Sequence, residues 1–332
     1  MDKRLQGVES KLKLLGCCCR LTGDNTLIFL ETKREINRLV IPDGVVRIAK
    51  ESLEDLKIVE VVVPDTVEYL DGNVFNSNQY LEEITLSNSI TVIESNSFGA
   101  CFNLKRVKLP KKLIRIEREA FNSVGLKEIE IPNTCKYIEK AAFSGCADLK
   151  TAKLSRNLET LGEEAFEYCS SLTEVHFNGN RKLFKIMRNT FADCPKLKQI
   201  DLPDTVAKIG NQAFYHCAEL TKIKIPKDCY CIGEQAFEKC IGLKEVEFNS
   251  ALRIIGRWAF YSCISLDEIE IKEGCREIGT KAFRLCNLSS FSIPDTVIEI
   301  GESAFSGTDK ESCIKMSNKM DSLSESQYNI LF

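Results

Sequence analysis

Cysteine is the residue type in this 332-residue sequence that most invites a chemical role, because there are 16 cysteines and only two histidines. Thiolates bind zinc or pair as disulfides, and zinc sites use closely spaced Cys pairs together with histidine. No Cys-x-x-Cys occurs, and eight cysteines occupy one slot, three residues after a phenylalanine: Cys101, Cys146, Cys169, Cys194, Cys217, Cys240, Cys263 and Cys286. We therefore predict buried free thiols that act as small apolar groups, in a chain without disulfides.

The two histidines, His176 and His216, belong to no recognisable catalytic triad, metal-binding motif or phosphate-binding loop. His176 stands among charged residues without a nucleophile in a nearby equivalent slot. We predict that the chain is not an enzyme and holds no cofactor.

A repeat organises most of the sequence, and its clearest marker is a phenylalanine every 22 to 25 residues. One unit, starting at Ile200, reads IDLPDTVAKIGNQAFYHCAELTK. A unit this small cannot bury its own apolar side, so successive units must stack into a solenoid. The repeated aromatic residues are then expected to form one buried ladder: Phe75, Phe98, Phe121, Phe143, Phe166, Phe191, Phe214, Phe237, Phe260, Phe283 and Phe305, preceded by Leu53 in the same slot.

Each unit contains one short segment of alternating apolar and polar residues, which predicts a strand of a parallel sheet. The predicted strands cover residues 39–41, 61–63, 84–86, 107–109, 129–131, 152–154, 175–177, 200–202, 223–225, 246–248, 269–271 and 291–293. The glycine that follows Ile in many units is replaced by Glu117 and Glu139 in two others. Its slot therefore does not require a positive φ.

The units resemble the BspA-like leucine-rich repeat family, whose consensus runs IPxxVxxIGxxAFxxCxxLxxI, from Leu39 to Phe305. The resemblance implies an α/β leucine-rich-repeat solenoid, dominated by strands, of about twelve repeats. It also implies a parallel sheet on one face and short turns or 3₁₀ segments on the other. Members of this family are mostly surface or secreted proteins of host-associated microbes that are linked to adhesion.

The repeats suggest three regions: an N-terminal cap at 1–34 made of a short helix and a β-hairpin, the solenoid at 35–308, and a C-terminal cap or tail at 309–332. The hairpin is expected to turn at Thr22-Gly23-Asp24-Asn25 and to cover the edge of the first predicted strand. Cys17-Cys18-Cys19 form a strand of this hairpin or, alternatively, a cluster for acylation.

Composition and charge exclude several classes of protein. The sequence is 44% hydrophobic and 28% charged, with 45 Lys plus Arg against 48 Asp plus Glu, which is typical of a globular chain without a nucleic-acid partner. No secretory signal is visible in the first twenty residues, and no apolar stretch approaches the roughly 18 residues of a membrane-spanning helix. The family resemblance favours a cell-surface or secreted location, whereas a full-length chain without a signal would be cytoplasmic.

The outward positions of the predicted strands are mostly charged, and opposite charges mostly neighbour each other. Glu245, Glu247, Glu268 and Glu270 break that rule with a block of like charges on two adjacent strands. This block predicts a surface for a basic partner or, more weakly, a Ca²⁺ site; solvated carboxylates screened by Lys222, Lys224 and Lys272 are the alternative. His176 lies in the same outward row.

Trp258, the only tryptophan, occupies a slot that is polar in other units and is predicted to be exposed. Together with Tyr215 and Tyr261, it could anchor a partner or stack on a sugar, and packing on neighbouring side chains is the alternative. Asn178-Gly179-Asn180 lengthens one unit to 25 residues and predicts a surface loop. Cys231 replaces a position held by Lys208 in the preceding unit, so we predict it to be the most reactive repeat thiol.

These features predict a non-catalytic protein-binding repeat scaffold with a protein or glycan ligand on the strand face. Resemblance to the family favours adhesion or host interaction at a cell surface. An intracellular interaction scaffold is the alternative, and a structural spacer in a larger assembly is a third possibility. The oligomeric state and the identity of the ligand are not encoded in any motif.

Overall fold

The structure, a computed structural model, describes residues 7–11, 17–32, 36–53 and 56–307. The chain divides into two compact units, Met1–Leu158 and Glu159–Phe332. Each unit is built from turns of a parallel β-solenoid, about twelve turns in the whole chain, and the helix within the described residues is confined to 7–11. The C-terminal cap or tail predicted at 309–332 lies outside the described residues.

The strands of the first unit are β1 (Cys17–Leu21), β2 (Thr26–Thr32), β3 (Ile36–Val40), β4 (Arg47–Ile48), β5 (Ile58–Val62), β6 (Tyr69–Leu70), β7 (Glu83–Thr85), β8 (Val92–Ile93), β9 (Arg106–Lys108), β10 (Arg115–Ile116), β11 (Glu128–Glu130), β12 (Tyr137–Ile138) and β13 (Thr151–Lys153). The strands of the second unit are β14 (Thr160–Leu161), β15 (Glu174–His176), β16 (Lys185–Ile186), β17 (Gln199–Ile200), β18 (Lys208–Ile209), β19 (Lys222–Lys224), β20 (Cys231–Ile232), β21 (Glu245–Glu247), β22 (Ile254–Ile255), β23 (Glu268–Glu270), β24 (Glu277–Ile278), β25 (Ser290–Ser292) and β26 (Glu299–Ile300).

Every turn of the solenoid contributes two strands. The longer strands, β3 and the odd-numbered strands to β25, form the long-strand face and confirm the twelve predicted strands, each beginning one to three residues earlier than predicted. The shorter strands, β4 and the even-numbered strands to β26, form a short-strand face that the sequence analysis missed. Two-residue strands exist only because neighbouring turns pair with them, as Ile232 pairs with Ile255, so local propensity does not reveal them.

The third side of each turn, the turn face, holds the ladder phenylalanines. In the first unit the rings from Phe75 to Phe143 stack with centroids 5.0 to 5.3 Å apart. In the second unit the rings from Phe166 to Phe305 stack with centroids 5.1 to 5.7 Å apart. Each of the eleven side chains is at most 1% exposed, which confirms the predicted ladder. These phenylalanines are the largest fully buried side chains, and burying such a ring stabilises a fold by about 1.5–3 kcal/mol.

This side was predicted to consist of short turns or 3₁₀ segments, and the structure has turns, since no 3₁₀ helix occurs in the described residues. Two residues per turn have positive φ, one two positions before the phenylalanine and one two positions after it, as in Gln235 (57°) and Lys239 (60°). Their amides donate to the next turn, Gln235 to the Arg257 carbonyl oxygen at 2.9 Å and Lys239 to that of Tyr261 at 2.8 Å. These bonds hold side-chain-bearing residues in a conformation that usually favours glycine.

The glycines that follow Ile allow the backbones of successive turns to approach closely. Gly256 has no positive φ, as predicted, yet a Cβ at this position would stand 2.7 Å from the carbonyl carbon of Gly233 in the preceding turn. A glycine here lets the two backbones touch.

The hairpin predicted around Thr22–Asn25 is present, with β1 and β2 antiparallel. The prediction that this hairpin covers the edge of β3 is wrong. Instead, β2 pairs in parallel with β4, with Leu27 opposite Ile48, and so extends the short-strand face. The alternative role of Cys17–Cys19 in acylation concerns side chains outside those described.

Pairing along the long-strand face is interrupted within each unit. In the first unit it breaks between β9 and β11, and in the second unit between β17 and β19 and again between β21 and β23. At the first of these breaks the outward residues are Arg106 and Lys108 on β9 and Glu128 and Glu130 on β11, which are opposite charges, so repulsion alone does not set these breaks.

Candidate functional site

The acidic block lies on the long-strand face of the second unit. Strands β21 and β23 each show the pattern exposed, buried, exposed, so Glu245, Glu247, Glu268 and Glu270 all point outward. The block therefore spans one of the interruptions, because neither strand pairing nor a backbone hydrogen bond links β21 to β23 within residues 56–307. The charge pattern of the sequence predicts the block but not the break beneath it.

An open groove of about 950 Å³ covers this break and extends over β25. Val246, Phe248, Ile269 and Phe291 are buried side chains that line it, so its floor is apolar. The four carboxylates line the same groove, together with hydroxyl and lysine side chains: Ser265, Ser290, Ser292, Lys244 and Lys272. An apolar floor between charged walls is the usual composition of a binding groove.

Lysines neutralise the block unevenly. The Lys222 ammonium bonds to Glu245 at 2.8 Å and also to Glu247, and these hydrogen bonds raise the pKa of Lys222 and lower that of Glu247. Lys272 pairs with Glu270 at 2.5 Å. Glu268 has no ion-pair partner in the described part of the chain, and Lys224 forms no ion pair there either. Each pair of carboxylates therefore has one ion-paired lysine, and Glu268 is the carboxylate of the block without an ion pair among the described residues.

The weak Ca²⁺ prediction finds no support in this arrangement. Among the described residues, no three His, Cys, Asp or Glu side chains are grouped so that they could hold a metal ion. Outward carboxylates on neighbouring strands point away from the surface side by side, whereas Ca²⁺ needs six to eight oxygens that converge.

The structure places Trp258 and Tyr261 together but Tyr215 elsewhere. Trp258 is half-buried rather than exposed, because the Arg257 guanidinium lies 3.8 Å from its ring centroid. Trp258 and Tyr261 line one cavity on the turn face. Tyr215 instead stacks under Lys239, whose ammonium lies 4.9 Å from the ring centroid and 2.5 Å from the phenol oxygen.

Both histidines contact carboxylates. His176 Nε2 lies 3.2 Å from Glu174 Oε2, and His216 Nδ1 lies 2.8 Å from Asp193 Oδ1. Neither ring contacts a hydroxyl or thiol nucleophile within the second unit's described residues. The geometry thus assembles no acid–base–nucleophile set around them.

The inserted segment Asn178-Gly179-Asn180 is an ordered turn beside His176. Asn180 is buried, and its side-chain oxygen accepts hydrogen bonds from the amides of Lys182 and Leu183 at 2.8 Å each. Asn178 and Gly179 adopt positive φ, which both residue types tolerate. The insertion and residues 201–204, which follow β17, line a second groove of about 490 Å³ together with His176.

The cysteines are free and mostly buried, and among the described cysteine side chains only Cys231 is half-exposed. A feature missed from the sequence is that the ladder thiols act as donors. Cys217, Cys240 and Cys263 each donate to the carbonyl oxygen of the phenylalanine in the preceding turn, with sulfur–oxygen distances of 3.2 Å. Burial raises the pKa of the Cys240 thiol to about 12.

The solenoid register also matches a known repeat. A family model described as "BspA type Leucine rich repeat region" matches residues 28–147, 93–218 and 184–312, with six copies. The chain belongs to the BspA-type leucine-rich repeat family. Repeat proteins of this BspA type are typically non-catalytic scaffolds. No helix in the described residues of this BspA-type chain is long and apolar enough to cross a membrane.

Solved structures of other proteins are similar to this BspA-type chain. A leucine-rich repeat protein from Bacteroides ovatus ATCC 8483 is 26% identical over 88% of this chain and 91% of that one, with a TM-score of 0.59. The pneumococcal vaccine antigen PcpA is 17% identical over 86% and 82% of the two chains, with a TM-score of 0.52. A leucine rich cell surface protein from Faecalibacterium prausnitzii A2-165 is 24% identical over 95% and 96%, with a TM-score of 0.47. No curated protein matches the chain.

Proposed function

We propose that this chain is a protein-binding scaffold that holds a basic segment of its partner in the acidic groove of the second unit. The observation that carries the proposal is the groove of about 950 Å³ whose floor is apolar and whose walls carry Glu245, Glu247, Glu268 and Glu270. Solenoid proteins commonly bind partners through such sheet faces.

The carboxylates of the groove outnumber the lysines paired with them, which favours a basic partner. Lys222 is shared by two carboxylates, and Glu268 forms no ion pair in the described residues. Lysine or arginine side chains of a partner would pair with these carboxylates, while their aliphatic stems cover the apolar floor. Because the carboxylates are exposed, the attraction should weaken as salt rises.

A direct test measures the binding of a fluorescein-labelled decalysine peptide by fluorescence anisotropy, with decaglutamate as the comparison peptide. We expect saturable binding of decalysine only. The double variant Glu268→Gln/Glu270→Gln should weaken it by about tenfold, the effect of removing roughly 1.4 kcal/mol of charge pairing.

The matched control is Glu128→Gln/Glu130→Gln, which changes the equivalent outward positions of β11 in the first unit, outside the groove. This control should bind decalysine like the unaltered chain. Equal weakening by both double variants, or equal binding of both peptides, would show that the groove does not select basic segments.

We further propose that the protein acts at a cell surface in adhesion or host interaction. The cell-surface description of the Faecalibacterium protein and the antigen description of PcpA motivate this proposal. Antibody labelling of intact and permeabilised source cells tests it. Labelling of intact cells is expected, and labelling only after permeabilisation would favour the intracellular scaffold.

A further inference from the structure

A small cavity on the turn face of the second unit is separate from the acidic groove. Three successive turns each contribute the residue two positions before the ladder phenylalanine and the residue just after it: Gln235 and Glu238, Trp258 and Tyr261, Lys281 and Arg284. The stacking distance of 5.1 Å between Phe237, Phe260 and Phe283 sets the spacing of the three pairs. The cavity volume is about 270 Å³, just below the roughly 300–1,000 Å³ of sites for drug-sized ligands, which matches a single ring.

Two polar side chains of this cavity each have an atom that makes no hydrogen bond to a described residue. Glu238 is only 8% exposed, and one of its oxygens accepts a hydrogen bond from the Gln235 amide at 2.6 Å. Its other oxygen, Oε1, makes no hydrogen bond to any described residue. Arg284 Nε is buried and makes none either. The buried, unpaired Arg284 Nε costs free energy that a bound acceptor would recover, and Glu238 Oε1 is free to accept a hydrogen bond.

The charged side chains of the cavity are separated by sign along the row of turns. Glu238 stands at one end, and the cations Lys281 and Arg284 stand at the other. Trp258 and Tyr261 occupy the middle turn and supply aromatic surface between the two ends. Lys281 and Arg284 line the cavity with one carboxylate, that of Glu238, and Arg257 packs on Trp258, so the cavity favours an anionic ligand.

We propose that this cavity binds one carboxylate-bearing sugar ring, a hexuronate. The C–H face of the ring packs on Trp258 and Tyr261, as sugars pack on aromatic side chains. A ring hydroxyl donates to Glu238 Oε1. The carboxylate accepts from Arg284 Nε and from the Lys281 ammonium, which are charge-assisted hydrogen bonds and therefore the strongest contacts in the site.

Trp258 is the only tryptophan of the chain, so tryptophan fluorescence reports on ligand binding at this cavity. The experiment titrates the full chain with glucuronate, glucose and acetate while tryptophan fluorescence is recorded. A saturable change is expected with glucuronate, at a concentration at least about tenfold lower than any change with glucose or acetate. Equal responses to glucuronate and glucose, a response to acetate alone, or no saturable response to glucuronate would each overturn the proposal.

Variants connect the signal to the two unpaired groups. Arg284→Gln, Lys281→Gln and Glu238→Gln should each weaken glucuronate binding by about tenfold. Arg276→Gln and Glu273→Gln are the matched controls, since both residues are exposed and neither lines the cavity. Each variant's melting temperature is measured first, and Lys281→Gln, which changes the end of a half-buried side chain, serves if a buried substitution prevents folding. Binding that survives Lys281→Gln and the folded buried variants alike would overturn the assignment.

Discussion

The Cys240 thiol donates a hydrogen bond to the carbonyl oxygen of Phe214 in the preceding turn, with 3.2 Å between sulfur and oxygen. The same oxygen also accepts the amide of Cys217, at 3.3 Å. The relationship recurs in both units, as in Cys101 with Phe75 at 2.9 Å and Cys146 with Phe121 at 3.1 Å. The slot therefore holds a small side chain that is apolar enough for the core and still links one turn to the next.

Removal of one ladder thiol should destabilise the second unit. In Cys240→Ala the Phe214 carbonyl loses a donor and a small cavity replaces the sulfur, so we expect a loss of about 1–2 kcal/mol in the free energy of unfolding. Urea denaturation followed by circular dichroism measures it. Cys231→Ala is the control, because Cys231 is half-exposed and donates no hydrogen bond to a described residue. An equal effect of the two substitutions would contradict a role for the thiol bond.

Alkaline pH should destabilise the protein through the same thiols. Burial raises the pKa of Cys101, Cys146 and Cys240 to about 12, against 9.0 for an unperturbed thiol. The folded chain keeps protons that the unfolded chain loses, so stability is complete below pH 9 and falls as pH rises from about 9 toward 12. The loss is at most about 1.4 kcal/mol per pH unit for each thiol.

Melting temperatures between pH 8 and 10.5 test this dependence. Other groups also titrate in this range, so the informative comparison is with Cys146→Ala/Cys240→Ala, whose stability should decline less steeply with pH. Parallel declines in the two proteins would show that these thiols do not set the alkaline limit.

Cys231 should react first among the cysteines whose side chains are described. Its half-exposed position gives reagents access, although burial also raises the pKa of its thiol above 9.0. Brief treatment of the native protein with iodoacetamide, followed by peptide mass spectrometry, should find Cys231 modified while Cys146 and Cys240 stay unmodified. Labelling of Cys240 at the rate of Cys231 would be inconsistent with the buried ladder.

Substitution of Gly256 by alanine should destabilise the second unit, although the φ of Gly256 is not positive. The new Cβ would stand 2.7 Å from the Gly233 carbonyl carbon and 2.8 Å from the Glu234 nitrogen, and backbone atoms cannot rotate away. We expect a loss of about 1–3 kcal/mol, measured by urea denaturation. Gly23→Ala is the control, because no atom lies within 4 Å of its added Cβ and its φ is not positive. Equal stability of the two variants would contradict close approach as the reason for Gly256.

The repeat period allowed the fold to be predicted in detail. Eleven equivalent phenylalanines indicated the buried ladder, and the alternation in each unit indicated the twelve long strands and the outward direction of Glu245 and Glu268. These features follow from the sequence because each depends on the identity of a residue within its own unit, repeated at a constant interval.

Other features depend on how one turn meets the next, and residue types within a unit do not encode that. The two-residue strands exist through pairing with neighbouring turns. Gln235 and Trp258 hold positive φ because amides of successive turns bond to each other. The groove lined by the four carboxylates lies over the interruption between β21 and β23. The charge pattern does not predict this interruption, because the same kind of break separates opposite charges at β9 and β11.

The sequence by itself therefore determined the solenoid, its period, its buried ladder and the charges on its long-strand face, because hydrophobic burial at a fixed spacing is a local property. Only the tertiary structure decided where strand pairing on that face is interrupted. It also decided that Glu238 and Arg284 line one cavity with Trp258 and Tyr261. Those sites are formed by side chains from successive turns, about 23 residues apart along the chain, and their geometry is fixed by packing and hydrogen bonds between turns.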